Sequence, residues 1–188
     1  MCAEPLHDRS KPSAFFDAQL PRLRSAAALG AVVDLACGRG RHALAAAAAG
    51  LRVIGIDRDR SLLAQLRADA GECRAALDCV CADLEHPAEL PLRSRRCGAI
   101  LVFRYLHRPL MTAIARALAP GGLLIYETFT TRQRALGTGP RNPDFLLEPD
   151  ELRALCSGLE ILEYWEGATG GRDNAELARV VARAPERA

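Results

Sequence analysis

The sequence predicts an α/β fold: five parallel strands in a doubly wound sheet, helices on both faces, and a C-terminal antiparallel hairpin. Three observations carry this reading. Short runs rich in β-branched and aliphatic residues recur at 31–36, 52–57, 78–82, 98–103 and 122–127, with helical stretches between them, clearest at 42–49, 60–70 and 108–119. The first run breaks into a glycine turn, Cys37-Gly38-Arg39-Gly40, before the first of those helices. The last two runs, GLEILEYWEG and AELARVVARA, are joined only by ATGGRDN. So short a link forces antiparallel pairing.

The remaining elements follow in chain order. Residues 1–10 carry no periodic pattern and are expected to be loose. Residues 13–28 place Phe15, Phe16, Leu20 and Leu23 at helical spacing, with Pro21 expected to break the helix. The stretch LEHPAELPLRSRR, between the third and fourth strands, is broken by prolines, so its helix should be short or absent. A helix is predicted at 149–156, with Pro149 near its first turn. Residues 1–30 therefore read as an N-terminal segment with a short helix, and 31–188 as a single domain without repeats.

Bulk properties narrow the function classes. A chain of 188 residues with 49% hydrophobic and 26% charged residues has the balance of one folded domain. Its net charge of +2 is too small to argue for a nucleic-acid partner or a membrane surface; no membrane partner is expected and nucleic acid is not the expected acceptor. The basic run Arg93-Ser94-Arg95-Arg96 is short, lacks interleaved aromatics and reads as a solvated loop. The longest apolar run, ALAAAAAGL at 43–51, is too short to span a bilayer, and the N-terminus has no signal-peptide pattern. A cytoplasmic location is the expectation. Seven cysteines lack the ligand spacing of a zinc site, so no metal is expected.

The glycine turn carries the chemistry. Asp34, Gly38 and Gly40 form a D-x-x-x-G-x-G pattern where the first strand ends. Glycine permits close approach of the backbone to a ligand, and the helix that follows offers a positive dipole end. Asp57 ends the second strand, placed to accept both hydroxyls of a ribose; the alternative role of capping the next helix falls better to Asp59. Asp83 ends the third strand, either as an acceptor for an adenine amino group or as a solvated strand-end acid. All three strand ends lie on the carboxyl edge, where Rossmann-like sheets bind nucleotides. Gly38-x-Gly40-x-x-Ala43 also fits a dinucleotide fingerprint, so the turn alone leaves the ligand open.

The run VVDLACGRGRHALAAAAAGLRVIGID resembles the first two motifs of class I S-adenosylmethionine-dependent methyltransferases. ALAPGGLLIYE is similar to that family's Pro-Gly-Gly entry into its fifth strand, and the C-terminal hairpin separates the family from NAD-binding relatives. GRGRH and the chain's small size suggest the tellurite-resistance-type branch. The resemblance covers roughly residues 30–184. It implies S-adenosyl-L-methionine as cofactor and S-adenosyl-L-homocysteine as product. By the same resemblance Asp34, Cys37 and Gly38 lie near the methionine end and Gly40 lines the turn. Asp57 holds the ribose, Asp83 and Leu84 flank the adenine, and Phe103 presents its carbonyl to the cofactor amine. The N-terminal helix would cover that site. Ala36 stands where the family often has glycine.

The implied reaction is an in-line displacement at the sulfonium methyl, which requires alignment and exclusion of water more than a general base. Tyr105 and His107 are the candidate catalytic residues, with capping or packing as the other role for His107. The stretch FRYLHRPL lacks the Asn/Asp-Pro-Pro-aromatic signature of enzymes that methylate nucleobase or glutamine amino groups. About twenty residues follow the fifth strand, longer than most α/β connections. This segment reads as a substrate lid anchored by Phe145, Leu146 and Leu147, with Tyr126, Glu127, Thr128 and Arg141 facing the pocket. An ordinary surface excursion is the alternative. A small-molecule acceptor is the leading expectation. The alternatives are an RNA or protein acceptor reached with a partner, an NAD-binding oxidoreductase, and a cofactor-binding protein without catalysis. Oligomeric state is not readable.

Overall fold

In the computed structural model, residues 11–86, 89–170 and 174–186 are described; the segment 1–10 and the centre of the hairpin link lie outside them. Seven strands form one sheet: β1 (Ala31–Leu35), β2 (Val53–Asp57), β3 (Leu77–Cys81), β4 (Cys97–Phe103), β5 (Leu118–Phe129), β6 (Glu160–Ala168) and β7 (Glu176–Arg183). Their order is β3-β2-β1-β4-β5-β7-β6. The first five are parallel, and β7 pairs antiparallel with both β5 and β6. The central strand β4 (CGAILVF) is buried along its whole length, as a parallel strand covered on both faces must be. The edge strand β6 carries Glu160, Glu163 and Glu166, charges that discourage edge-to-edge pairing.

Two apolar layers flank the sheet. On one face α1 (Ala14–Ala26), α2 (Arg41–Ala48) and α3 (Arg60–Asp69) pack Phe16, Leu23, Ala43, Ala46, Leu63 and Leu66 against Val32, Leu101 and Ile125. On the other, α4 (Met111–Ala117) and α5 (Glu151–Leu155) bring Ile114 and Leu152 against Ile100, Leu124 and Val180. The chain changes direction between β1 and β4, so the carboxyl ends of these strands flank a topological switch point.

Three boundaries depart from the sequence reading. Pro21 does not break α1, which runs through it for 13 residues. The proline removes one backbone donor, but Phe16, Gln19, Leu23 and Ala26 are all buried on that helix, and their packing outweighs a penalty of roughly 3 kcal/mol. Within the expected helix 108–119, residues Arg108–Leu110 form a 3-10 turn and α4 ends at Ala117. The reason is that Leu118 already pairs with Cys97, so β5 starts earlier than its β-branched run. No helix forms among the described residues between β3 and β4, as the prolines required.

Candidate functional site

At the end of β1 the backbone takes left-handed conformations at Ala36 (φ 51°), Gly38 (φ 56°) and Gly40 (φ 73°). The two glycines are needed for different reasons. A Cβ on Gly40 would lie 2.3 Å from Cδ1 of Leu66, so its absence lets α3 close on the turn. A Cβ on Gly38 would meet nothing within 4 Å, so its bare face opens outward.

Asp34 sits behind this turn. It is 1% exposed, and its carboxylate accepts from the Ala43 N–H at 3.0 Å, capping α2 where Gly40 offers no side chain. Burial pushes its pKa up to about 7, opposed by the Ala43 hydrogen bond and the Arg41 charge. The expectation placed Asp34 near the ligand; the structure turns it into the core. Cys37 is half-buried, and desolvation together with the charges of Asp34 and Asp57 drives its thiol pKa up, so it is no nucleophile.

Asp57, half-buried at the end of β2, faces the open side. Its Oδ2 accepts from Gly38 N–H at 2.8 Å and its Oδ1 from Asp59 N–H at 2.9 Å. A carboxylate has about four acceptor positions, so two remain for a ligand's hydroxyls. Asp59 caps α3 through Ser61 and Leu62 N–H, which leaves Asp57 free of that role. Asp83 is exposed and accepts from Glu85 N–H at 2.8 Å, which holds its pKa below the usual carboxylate range. Leu84 is buried in the core on the α4 side. Asp83, Glu85 and His86 bring side-chain ligand atoms within 4.8 Å of one another, with Asp83 and His86 exposed and Glu85 half-buried.

Tyr105 follows β4. Its hydroxyl is buried without a hydrogen-bond partner among the described residues. Burial, then the charges of Glu85 and Asp83, raises its pKa, so it stays protonated at neutral pH. His107 precedes the 3-10 turn without capping it through its side chain, and its Nε2 is also buried and unpartnered among the described residues.

Sequence reasoning did not single out His42. Its ring stacks on Phe103 at 3.8 Å between centroids and 26° between planes, with Phe16 at 5.3 Å. Its Nε2 accepts from Ser13 N–H at 3.2 Å, tying the start of α1 to α2. Desolvation and the charges of Arg41 and Arg104 lower its pKa to about 3. The terminal His of GRGRH was the only signal in the sequence.

Beyond β4, strand pleating divides the expected substrate residues. Glu127 lies on the α1 face, while Tyr126 and Thr128 point to the opposite face, because successive strand side chains alternate. Tyr126 is 1% exposed and donates to the Tyr105 carbonyl at 3.0 Å, as a packing residue. Arg141 is exposed and joins none of them. Glu127 is 0% exposed and sits between Arg179 Nε at 2.8 Å and an Arg104 terminal nitrogen at 3.5 Å. Register places Phe103, Glu127, Arg179 and Trp165 in one row across four strands. The expected lid is pinned: Arg108 donates to the Asp144 and Leu146 carbonyls and pairs with Glu151, and Leu146 and Leu147 are buried. Phe145 instead is 48% exposed.

Comparison with known proteins gives a consistent result. Residues 32–122 match the family model described as a methyltransferase domain. The chain is 31% identical over 178 residues to trans-aconitate 2-methyltransferase of Delftia acidovorans, covering 90% of this chain and 64% of that protein. It thus spans somewhat less than two thirds of that curated relative. A solved structure described by the conversion of a disulfide bond into a thioacetal group during echinomycin biosynthesis superposes with a TM-score of 0.75. The identity there is 21%, over 98% of this chain and 86% of the other. An S-adenosylmethionine-dependent methyltransferase from Mesorhizobium loti superposes with a TM-score of 0.67 at 23% identity, over 89% of this chain and 99% of the other. At these identities the structural likeness is one of fold.

Proposed function

We propose that the chain is a class I S-adenosylmethionine-dependent methyltransferase and that it transfers a methyl group from S-adenosylmethionine to a small-molecule acceptor. The observation that carries this reading is the pairing of Asp57 with the open side of Gly38, a carboxylate with spare acceptor positions beside a turn that no side chain fills. S-adenosylmethionine supplies an activated methyl group on a sulfonium. In this reading Asp57 accepts the ribose hydroxyls, Gly38 and Gly40 keep the turn low, Asp83 faces the adenine and the Phe103 carbonyl accepts from the amine. Asp34 and Cys37 support the turn from within. The Tyr105 hydroxyl, buried and unpartnered among the described residues, is an available donor for a ligand.

A small acceptor fits better than a nucleic acid. Of the arginines that a basic groove would need, Arg108 is engaged by Glu151 and two carbonyls, and Arg104 lies against Glu127 and over the Phe129 ring. The trans-aconitate relative supports the same acceptor class. The test is a calorimetric titration with S-adenosylhomocysteine and, in parallel, NAD, followed by labelled methyl transfer into a small-molecule extract. Binding of S-adenosylhomocysteine and label in a small product is expected. NAD binding alone, or label only in RNA or protein, overturns the reading. Tyr105→Phe and His107→Ala should lower kcat while S-adenosylhomocysteine affinity stays within about twofold; loss of folding instead would make both packing residues.

A further inference from the structure

A groove of about 420 Å³ runs between the start of α1 and the outer strands β6 and β7. That size is within the range of small-ligand pockets. Phe15, Trp165 and Arg179 are among the residues that line it. The Arg179 guanidinium is 4.7 Å from the Trp165 ring centroid and 5.4 Å from that of Phe15. Only its Nε is engaged among the described residues, by Glu127 at 2.8 Å, so the terminal nitrogens remain for a ligand. The other ionised group on the groove, Glu163, is held by Arg22 at 2.6 Å and by Gln19 at 3.1 Å, which neutralises it.

We propose that this groove binds the carboxylate of the methyl acceptor, with the Arg179 terminal nitrogens as its anchor and Phe15 and Trp165 against its apolar body. The proposal rests on the methyltransferase reading above and adds the acceptor's chemical class. A guanidinium whose terminal nitrogens make no hydrogen bond among the described residues can grip a carboxylate as a fork, and flanking aromatic rings hold its plane in place. The groove also lies near the candidate cofactor site. Arg179 and Phe103 occupy one register row, two strand spacings apart, or roughly 10 Å. An acceptor of ordinary metabolite size anchored at Arg179 is long enough to span that distance.

Trp165 is the chain's single tryptophan, so its emission reports on this groove without requiring turnover. The full chain, loaded with S-adenosylhomocysteine, is titrated with benzoate, with trans-aconitate, with neutral benzamide and with inorganic phosphate. The expected result is a saturable change in emission with at least one carboxylate, and none with benzamide at tenfold higher concentration. Arg179→Lys keeps a cation beside Glu127 but removes the fork. It should weaken the carboxylate at least tenfold while leaving S-adenosylhomocysteine affinity unchanged. Equal responses to benzoate and benzamide, an equal response to phosphate, or an undiminished response in Arg179→Lys overturns the proposal. If Arg179→Lys does not fold, the wild-type comparison of benzoate with benzamide decides. Failure of all carboxylates with S-adenosylhomocysteine bound refutes the acceptor class alone, whereas failure to bind S-adenosylhomocysteine refutes the methyltransferase reading beneath it.

Discussion

The carboxylate of Asp57 accepts a hydrogen bond from the Gly38 N–H at 2.8 Å, so the acid ending β2 and the turn following β1 form a single unit. The same carboxylate also receives Asp59 N–H, which fixes its orientation.

Replacing Asp57 with alanine should therefore reduce S-adenosylhomocysteine affinity by ~1.5–3 kcal/mol, the range for losing charge-assisted hydrogen bonds. Asp57→Asn, which keeps one acceptor oxygen, should fall between the two. Calorimetry measures both. Affinity unchanged in Asp57→Ala would remove the ribose from this position.

Asp34 and His42 should give the protein opposing responses to acid. The pKa of Asp34 rises from 3.8 to about 7 on folding, so the folded state holds the extra proton between those values. Its contribution to stability is full below 3.8 and is lost as pH rises through about 7. The pKa of His42 falls from 6.5 to about 3, so here the unfolded chain holds the extra proton. Its contribution is full above 6.5 and is lost as pH falls through about 3. Each spans roughly 4–5 kcal/mol at most, and between pH 4 and 6.5 their slopes cancel. His42→Phe should leave stability falling as pH rises across that interval, and Asp34→Asn should leave it rising. Urea midpoints at three pH values test this; slopes of the same sign in both variants would refute it.

Glu127 is buried between two arginines, and Glu127→Ala should destabilise the fold by about 2–4 kcal/mol. The lower end reflects the partial exposure of Arg104 and Arg179, which can turn toward water. Thermal unfolding measures the loss, and a change below about 0.5 kcal/mol would mean the triad contributes nothing net.

Ala36 adopts φ 51° without being glycine. Ala36→Gly should stabilise the protein by about 0.5–1 kcal/mol, the relief of left-handed strain less the added freedom of the unfolded chain. A decrease in denaturation midpoint would show that the methyl group's contacts matter more than its strain.

Most of the fold was legible because it depends on local patterns. Alternating β-branched runs and helical stretches located five strands, and the short hairpin link required β6 and β7 to be antiparallel. Asp59 as helix cap followed from the Ser61 and Leu62 positions after it. Pro21 was misread because its penalty is local while the burial of Phe16 and Leu23 that offsets it is not. Tyr126, Glu127 and Thr128 seemed one group, but the pleat sends them to different faces.

What the sequence determined by itself was the sheet, its helices and the acids at its carboxyl edge, since periodicity and strand ends are properties of contiguous residues. Which of those acids faces outward was a matter for the tertiary structure. Asp34 turns inward to cap α2 and Asp57 stays open, although both lie near the carboxyl end of a strand of the same sheet. The row from Phe103 through Glu127 and Arg179 to Trp165 likewise joins residues up to 76 positions apart. Only strand register brings them together, and register is set by packing across the whole sheet.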